Sequence, residues 1–166
     1  MPIIWVKIRA SIWTAPSWCS LGTYLAADLV MSTGMALQFA ERHGSPRSGN
    51  PVRSGKYTLQ EGIIPIEETR PGDIIPVPSG PCYIYYMINR QGQSHRAIKR
   101  NVRKTVTALK QHMERHQIHQ LGIPVLTTET LEFGQIQVIF NEEFSGLNVT
   151  IYVYDPNLNE IYQYRK

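Results

Sequence analysis

The segment Cys82–Ile88 (CYIYYMI) constrains the fold more than any other part of this chain. It is a near-continuous run of apolar and aromatic strand formers, and the turn residues Ser79–Pro81 precede it. Strands that are buried on both faces have this pattern, whereas strands with one solvated face alternate apolar and polar residues. The segment therefore predicts a strand inside a sheet that carries helices on both faces.

Other strands and helices alternate along the chain around this segment. The clearest helix is predicted over His95–Gln117, where one apolar stripe recurs at spacings of three and four: Ile98, Val102, Val106, Leu109 and Met113. Further helices are predicted near 33–43, with Ser32 as N-cap, and 131–144, and strands over 2–8, 73–77, 120–126 and 148–154. Residues 10–22 are interpreted as a loop. This alternation indicates an α/β fold of three layers, in which helices flank a central mixed and mostly parallel sheet.

Length and composition favour a single domain over residues 1–166. The chain is 42% hydrophobic and 18% charged, which suits a chain that buries a sizeable core. Residues 44–72 are predicted to be an insertion or mobile loop, because their first part is rich in Gly, Pro, Ser and Arg without periodicity. Residues 155–166 are predicted to be a C-terminal extension.

The charge and the number of cysteines indicate which partners and which cellular compartment suit this protein. The net charge of +4 allows an acidic or nucleic-acid partner without requiring one. Cys19 and Cys82 are too few for a disulfide framework, and no apolar run approaches the roughly 20 residues that span a bilayer. We therefore expect free thiols, no membrane contact and a reducing cytoplasmic or nuclear compartment.

Two histidines lie four positions apart on the long predicted helix. His112 and His116 have a spacing found in zinc sites, and His119 follows just beyond. No cysteine or carboxylate follows at ligand spacing, so we expect a solvated helix end where cationic imidazoles favour the C-terminal dipole. Neither a metal nor another cofactor is expected.

Three segments resemble the macro domain in order and spacing: 25–44 (LAADLVMSTGMALQFAERHG), 83–89 (YIYYMIN) and 121–124 (LGIP). The most specific part is Met31–Met35, a Met, two small residues, Gly and an apolar residue that run into a helix. The resemblance covers residues 3–154 and is strongest to the terminal ADP-ribose protein glycohydrolase and ADP-ribose 1''-phosphatase type. It implies a site for ADP-ribose or a related nucleotide.

The resemblance also implies a ligand site that has lost its usual residues. Arg9 stands where the family has an acid for the adenine, and the first phosphate loop keeps only Gly34. The second, glycine-rich in the family, is here Thr127–Thr130 with Glu129 inside it. Glu129 would place its negative charge beside the phosphates of the ligand. Two like charges about 4 Å apart repel by roughly 4 kcal/mol at an effective dielectric near 20, whereas a helix N-terminus would stabilise a phosphate by only about 0.3–1 kcal/mol. The residues implied to bind the ligand are Ala26, Asp28, Ser32, Thr33, Gly34, Thr127, Thr128, Glu129 and Thr130.

The catalytic positions implied by the resemblance are altered as well. The nucleophilic lysine matches Arg90, and arginine stays protonated and offers no lone pair. The assisting acid falls near Leu131, so Glu132 and Glu129 are the candidates. We expect a catalytically impaired module that binds a nucleotide-like ligand, RNA or a protein. The alternative is an active ADP-ribose reader or hydrolase in which hydroxyl groups replace the glycine amides.

The long helix carries a nearly uniform positive charge. Like charges four residues apart destabilise a helix, so a polyanion such as RNA, or an acidic protein, is one explanation of this face. A solvated face is the other. The residues proposed for the polyanion are Arg96, Lys99, Arg100, Arg103 and Lys104, against which the helix itself offers only Glu114. Tyr83, Tyr85 and Tyr86 are expected to pack in the sheet rather than to stack on bases.

Overall fold

A computed structural model describes residues 3–27, 34–43, 70–92 and 96–158. Within these ranges six strands form one sheet: β1 Ile4–Ile8, β2 Ser20–Ala26, β3 Ile74–Ser79, β4 Cys82–Arg90, β5 Gln120–Pro124 and β6 Thr150–Tyr154. The α-helices are α1 Gly34–His43, α2 Lys99–Arg115 and α3 Phe133–Glu143, and a single 3-10 turn covers Ile12–Thr14. No helix in the described ranges is both long and apolar enough to cross a membrane.

The sheet has the strand order β1-β6-β5-β2-β4-β3. All neighbouring strands are parallel except β3 and β4, which form an antiparallel hairpin across Gly80 and Pro81. Gly80 has a φ of +62°, in the left-handed region that favours glycine, so the hairpin needs a glycine there. The sheet is mixed and mostly parallel, as predicted.

Helices cover both faces of the sheet. One core cluster lies between the sheet and the helices α2 and α3, and the other lies between the sheet and α1. β4 lies between β2 and β3, and its side chains from Ile84 to Asn89 are buried. The expectation that CYIYYMI is a strand covered on both faces is confirmed, because its alternate side chains belong to the two different clusters.

The prediction of a loop over residues 10–22 is wrong at its end, because β2 begins at Ser20. Ser20, Gly22 and Thr23 interrupt the apolar pattern, so the sequence does not show a strand there. Ser20 is nevertheless buried, and its Oγ accepts a hydrogen bond of 3.1 Å from the backbone N–H of Tyr83. At Gly22 an added Cβ atom would lie 3.5 Å from the methyl group of Met87, which is ordinary van der Waals contact.

The long helix differs from its prediction at both its start and its buried face. It begins at Lys99, and Ile98 is its N-cap and is 46% exposed, so the inclusion of Ile98 in the apolar stripe is wrong. Thr105 and His112 are buried alongside the rest of the stripe. The predictions for the Ser32 cap, for residues 44–69 of the insertion and for residues 159–166 of the extension lie outside the described residues.

Candidate functional site

The parallel strands β5, β2 and β4 end side by side at one edge of the sheet, with Pro124, Ala26 and Arg90 as their last residues. A cleft of about 340 Å³ opens at this edge, between the start of α1 and the segment that follows β5. Ligands of open α/β sheets bind outside the carboxyl ends of the parallel strands. The cleft is therefore the candidate functional site.

Three residues that line this cleft carry buried polar atoms whose hydrogen-bonding capacity is unmet within the described part of the chain. These atoms are the hydroxyl of Tyr24, Oδ1 of Asn89 and Nε of Arg90. Buried polar groups are nearly always hydrogen-bonded in native proteins, to protein or to ordered water. We refer to Tyr24, Asn89 and Arg90 as the floor residues.

An ion pair joins the end of β4 to the segment after β5. Nη1 of Arg90 lies 3.4 Å from Oε2 of Glu129, and the backbone N–H of Ala97 donates to Oε1 of Glu129, also at 3.4 Å. The pKa of Glu129 is lowered, first by its own backbone N–H and then by the Ala97 amide, Arg90 and Arg96, although partial burial opposes this. Glu129 is therefore a carboxylate at neutral pH.

Residues Thr127–Thr130, here called the threonine loop, satisfy much of their own hydrogen-bonding capacity. Oγ1 of Thr128 accepts from the backbone N–H groups of Thr130 at 3.2 Å and of Leu131 at 2.9 Å. The hydroxyl of Thr130 donates to the carbonyl oxygen of Ala97 at 3.0 Å. Two backbone amides and one hydroxyl of this region are thus already engaged within the protein.

Solved structures with the same fold include the macrodomain of Mycobacterium tuberculosis DarG. It is 15% identical to this chain with a TM-score of 0.72, over 93% of this chain and 99% of that one. Thermosipho africanus DarTG in complex with ADP-ribose is 10% identical with a TM-score of 0.67, over 98% of this chain and 46% of that one. This chain is a macro domain by fold.

The sequence comparisons agree with this assignment at low identity. The ADP-ribose glycohydrolase OARD1 of Bos taurus is 23% identical over 149 residues, which cover 89% of this chain and 88% of that protein. No model of a known protein family matches the sequence.

The macro domain brings together part of the predicted ligand site. Three of the predicted residues line the cleft: Ala26, Gly34 and Thr127. Thr128, Glu129 and Thr130 belong to the threonine loop, and three others lie outside the described residues: Asp28, Ser32 and Thr33.

Arg9 is exposed just after β1, and β6 lies between β1 and β5 in the sheet. Sequence reasoning missed Tyr24 and Asn89, although a polar residue at the end of a buried apolar strand was a usable signal for Asn89.

The two candidate acids occupy different places in the macro domain. Glu129 contacts Arg90, as described above, whereas Glu132 is the N-cap of α3, where its backbone N–H donates to Oε1 of Gln135 at 2.8 Å. Glu129 is therefore the carboxylate placed to act together with a residue at position 90.

The basic face of α2 is divided into two parts. Arg103 contacts Glu142 at 2.7 Å and Glu143 at 2.8 Å, both on α3, so its charge, which has no acidic partner on α2 itself, is neutralised by the neighbouring helix. These hydrogen bonds raise the pKa of Arg103. The stem of Lys104 lies against Gly72, where an added Cβ would be 3.0 Å from Cδ of the lysine. Lys104 nevertheless remains exposed, as do three cations at and just before the start of the helix, where Ala97 contacts the threonine loop: Arg96, Lys99 and Arg100.

His112 does not belong to a solvated, cationic helix end as the sequence predicted, whereas His116 is exposed. His112 is buried, and its Nδ1 lies 2.8 Å from the hydroxyl of Tyr85. Burial, and then the charges of His116 and Arg115, lower its pKa from 6.5 to about 4, so His112 is neutral at pH 7. Its ring stacks on that of His116 at 4.1 Å. No group of three metal-binding side chains occurs in the described ranges.

A second cavity, of about 650 Å³, lies near the amino-terminal ends of β2 and β4, between Trp13 and the two cysteines. Cys19 and Cys82 are both buried and free, as expected. Burial, and then the nearby Cys82, raise the pKa of Cys19 to about 12. A thiol with this pKa is not a nucleophile at neutral pH. Cys19 is therefore not a catalytic group of this cavity.

Proposed function

We propose that this macro domain binds a nucleotide-like ligand of the ADP-ribose class in the cleft and does not hydrolyse it. The observation that carries the proposal is Arg90, which ends β4 at the cleft and lies where the resemblance puts a nucleophilic lysine. A guanidinium group remains protonated and has no lone pair with which to attack a sugar carbon. Two similar proteins support the choice of ligand class: OARD1 is an ADP-ribose glycohydrolase, and the structure of DarTG is a complex with ADP-ribose.

The hydrogen bonds of the threonine loop favour this proposal over an active enzyme with unusual phosphate loops. That alternative requires hydroxyl groups and amides of the loop to face the phosphates. The Thr130 hydroxyl and the amides of Thr130 and Leu131 already have partners inside the protein. Glu129 adds a negative charge to the same loop, which opposes the approach of a pyrophosphate to these residues, so the proposed ligand must place its phosphates against other parts of the cleft.

Calorimetric titration of the whole chain with ADP-ribose and with ADP-ribose 1''-phosphate tests the proposal. We expect saturable binding of at least one of them with a dissociation constant below about 1 mM, equivalent to about −4 kcal/mol. Thr127→Trp should abolish that binding, because residue 127 lines the cleft. Val138→Trp is the matched control, since Val138 is exposed on α3. Absence of heat with both ligands at millimolar concentration would contradict the proposal.

A second candidate function, binding of single-stranded RNA, is favoured by the exposed cations at the start of α2. Single-stranded polyanions lose affinity with salt at a slope of about −0.7 per phosphate contact. The double variant Lys99→Gln and Arg100→Gln is expected to lower affinity and to flatten that slope by about 1.4, as measured by fluorescence anisotropy between low and moderate salt.

The matched control for this prediction removes the same charge from the other half of the helix, by Lys110→Gln and Arg115→Gln. Lys99 and Arg100 lie in the first turn of α2, two and three residues after Ala97, which contacts the threonine loop, so only their loss should change the slope strongly. If the two double variants have equal effects, or if no affinity for RNA is measurable at low salt, the RNA-binding prediction is wrong and the basic face of α2 is only solvated.

A further inference from the structure

The second cavity lies at the opposite end of the parallel strands from the cleft. Its volume of about 650 Å³ is within the range of about 300–1,000 Å³ that small-molecule sites have. The helix α1 connects the two places, because Met35 lines the cleft and Arg42 lines the second cavity. These residues are roughly 10 Å apart along the helix, at a rise of about 1.5 Å per residue. A ligand in the second cavity therefore makes contacts of its own, distinct from those of the cleft.

The walls of the second cavity suit an aromatic ring. The buried side chains of Ile12 and Ile84 line it, and so does Trp13. Two contacts fix Trp13: its Nε1 donates to Oε1 of Gln38 at 2.7 Å, and its ring packs edge-on against Phe39 with centroids 4.8 Å apart. A wall that is already fixed loses little conformational entropy when a ligand binds, and aromatic pairs add stability beyond the area that they bury.

The thiols of Cys19 and Cys82 also line the second cavity, but they do not require a polar ligand. Sγ of Cys19 donates to the carbonyl oxygen of Ser20 at 3.4 Å, and Sγ of Cys82 donates to that of Ser17 at 3.3 Å. Thiols are weak hydrogen-bonding groups and behave as small apolar side chains when they are buried. The two cysteines therefore extend the apolar lining.

Arg42 supplies a positive charge at the second cavity. Its guanidinium carbon lies 4.6 Å from the centroid of the Trp13 ring, and its side chain is exposed. Among the described residues that line the cavity there is no aspartate or glutamate. The carboxyl end of α1 opposes an anion, but a helix end carries only about half a unit of negative charge, whereas arginine carries a full positive charge. Because a cation already lies over the Trp13 ring, a second cation is repelled and an anion is attracted.

We propose that the second cavity binds a small aromatic carboxylate. The ring packs between Trp13 and the buried aliphatic side chains, and the carboxylate pairs with Arg42. This proposal goes beyond the proposed function, since it concerns another site and another class of ligand, and it does not depend on what the cleft binds.

Cinnamate and its neutral analogue cinnamyl alcohol test the proposal on the whole chain. Calorimetry at moderate ionic strength is expected to give a dissociation constant below about 1 mM for cinnamate and one at least about tenfold higher for the alcohol. The indole N–H signal of Trp13, assigned with Trp13→Phe, should shift in the NMR spectrum as cinnamate binds. The signal of Trp5 should not shift, because its Nε1 donates to Asn141 on the other face of the sheet.

Two variants and a control locate the site. In Arg42→Gln the affinities for cinnamate and cinnamyl alcohol should come within about threefold of each other, because the neutral amide adds no charge attraction. Ser17→Trp should abolish the binding of both, because Ser17 is exposed, lines the cavity and leaves room for a bulky ring to fill it. Arg115→Gln removes the same charge from the exposed end of α2, on the other face of the sheet, and should keep the wild-type preference.

The wild-type measurements decide the proposal even if a variant does not fold. Equal affinities for cinnamate and cinnamyl alcohol would overturn the selection of an anion. Absence of binding, or a shift of the Trp5 signal in place of the Trp13 signal, would overturn the site. An excess of ADP-ribose should leave the affinity for cinnamate unchanged, whereas competition between them would put cinnamate in the cleft and would overturn a second site.

Discussion

Arg90→Lys is expected to release ADP-ribose from a glutamate-modified protein at least about tenfold faster than the wild-type chain, whose rate should stay near that of buffer. A tenfold change corresponds to about 1.4 kcal/mol in the barrier, a small part of what a nucleophile supplies. The physical reason is the lone pair, which an amine has when deprotonated and a guanidinium lacks. The measurement is single-turnover release of labelled ADP-ribose.

The pH profile and two further variants make this prediction specific. A lysine beside Glu129 should be mostly protonated at neutral pH, so the rate of Arg90→Lys should rise as pH increases toward the ordinary lysine pKa of about 10.4. Arg90→Gln should gain nothing, and Arg90→Lys combined with Glu129→Gln should lose most of the gain if Glu129 acts as the assisting acid. Rapid release by the wild-type chain would refute the proposed loss of catalysis. An inactive but folded Arg90→Lys would refute the assignment of position 90.

What could be predicted from the sequence depended on how local the signal was. The strand β4 follows from a continuous apolar run and the buried stripe of α2 from helical periodicity, and both were predicted correctly except for Ile98. The strand β2 was missed because it contains polar residues that are buried. Their hydrogen-bond partners lie on other strands, as when the backbone N–H of Tyr83 donates to Oγ of Ser20, and the local sequence does not show them. The acids that neutralise Arg103 lie about 40 positions away along the chain, where no local pattern can reveal them.

The candidate site was predictable only in part for the same reason. The resemblance placed Arg90 and the threonine loop, but it could not show that Glu129 turns to Arg90 while Glu132 caps a helix. Nor does the sequence reveal which polar atoms keep unmet hydrogen-bonding capacity, because burial and partners are properties of the folded sheet. The floor residue Tyr24 belongs to a strand that the sequence did not predict.

His112 is a second site where tertiary structure reverses the sequence interpretation. A helix end usually favours a cationic imidazole, by about 0.3–1 kcal/mol in exposed positions. Here α2 presses His112 against Tyr83 and Tyr85 of β4, with ring centroids 4.6 and 5.2 Å away. His116 and Arg115 on the same helix add positive charge. Burial dominates, and it favours the neutral ring.

Acidification from pH 7 to pH 5 is therefore expected to destabilise the wild-type chain by about 1–2 kcal/mol through His112 alone. The pKa is about 4 in the folded chain and 6.5 in an unperturbed histidine, so the unfolded chain binds a proton that the folded chain does not. The stability that His112 contributes is fully present above pH 6.5 and is lost as pH falls toward 4.

Urea unfolding of wild type and His112→Asn at several pH values measures this loss of stability. His112→Asn can preserve a hydrogen bond to Tyr85 without titrating, so it should be less stable at pH 7 but should lose less stability at pH 5. His116→Gln, at an exposed position, is the control and should keep most of the wild-type slope; a slope in His112→Asn equal to that of wild type would show that other groups carry the pH dependence.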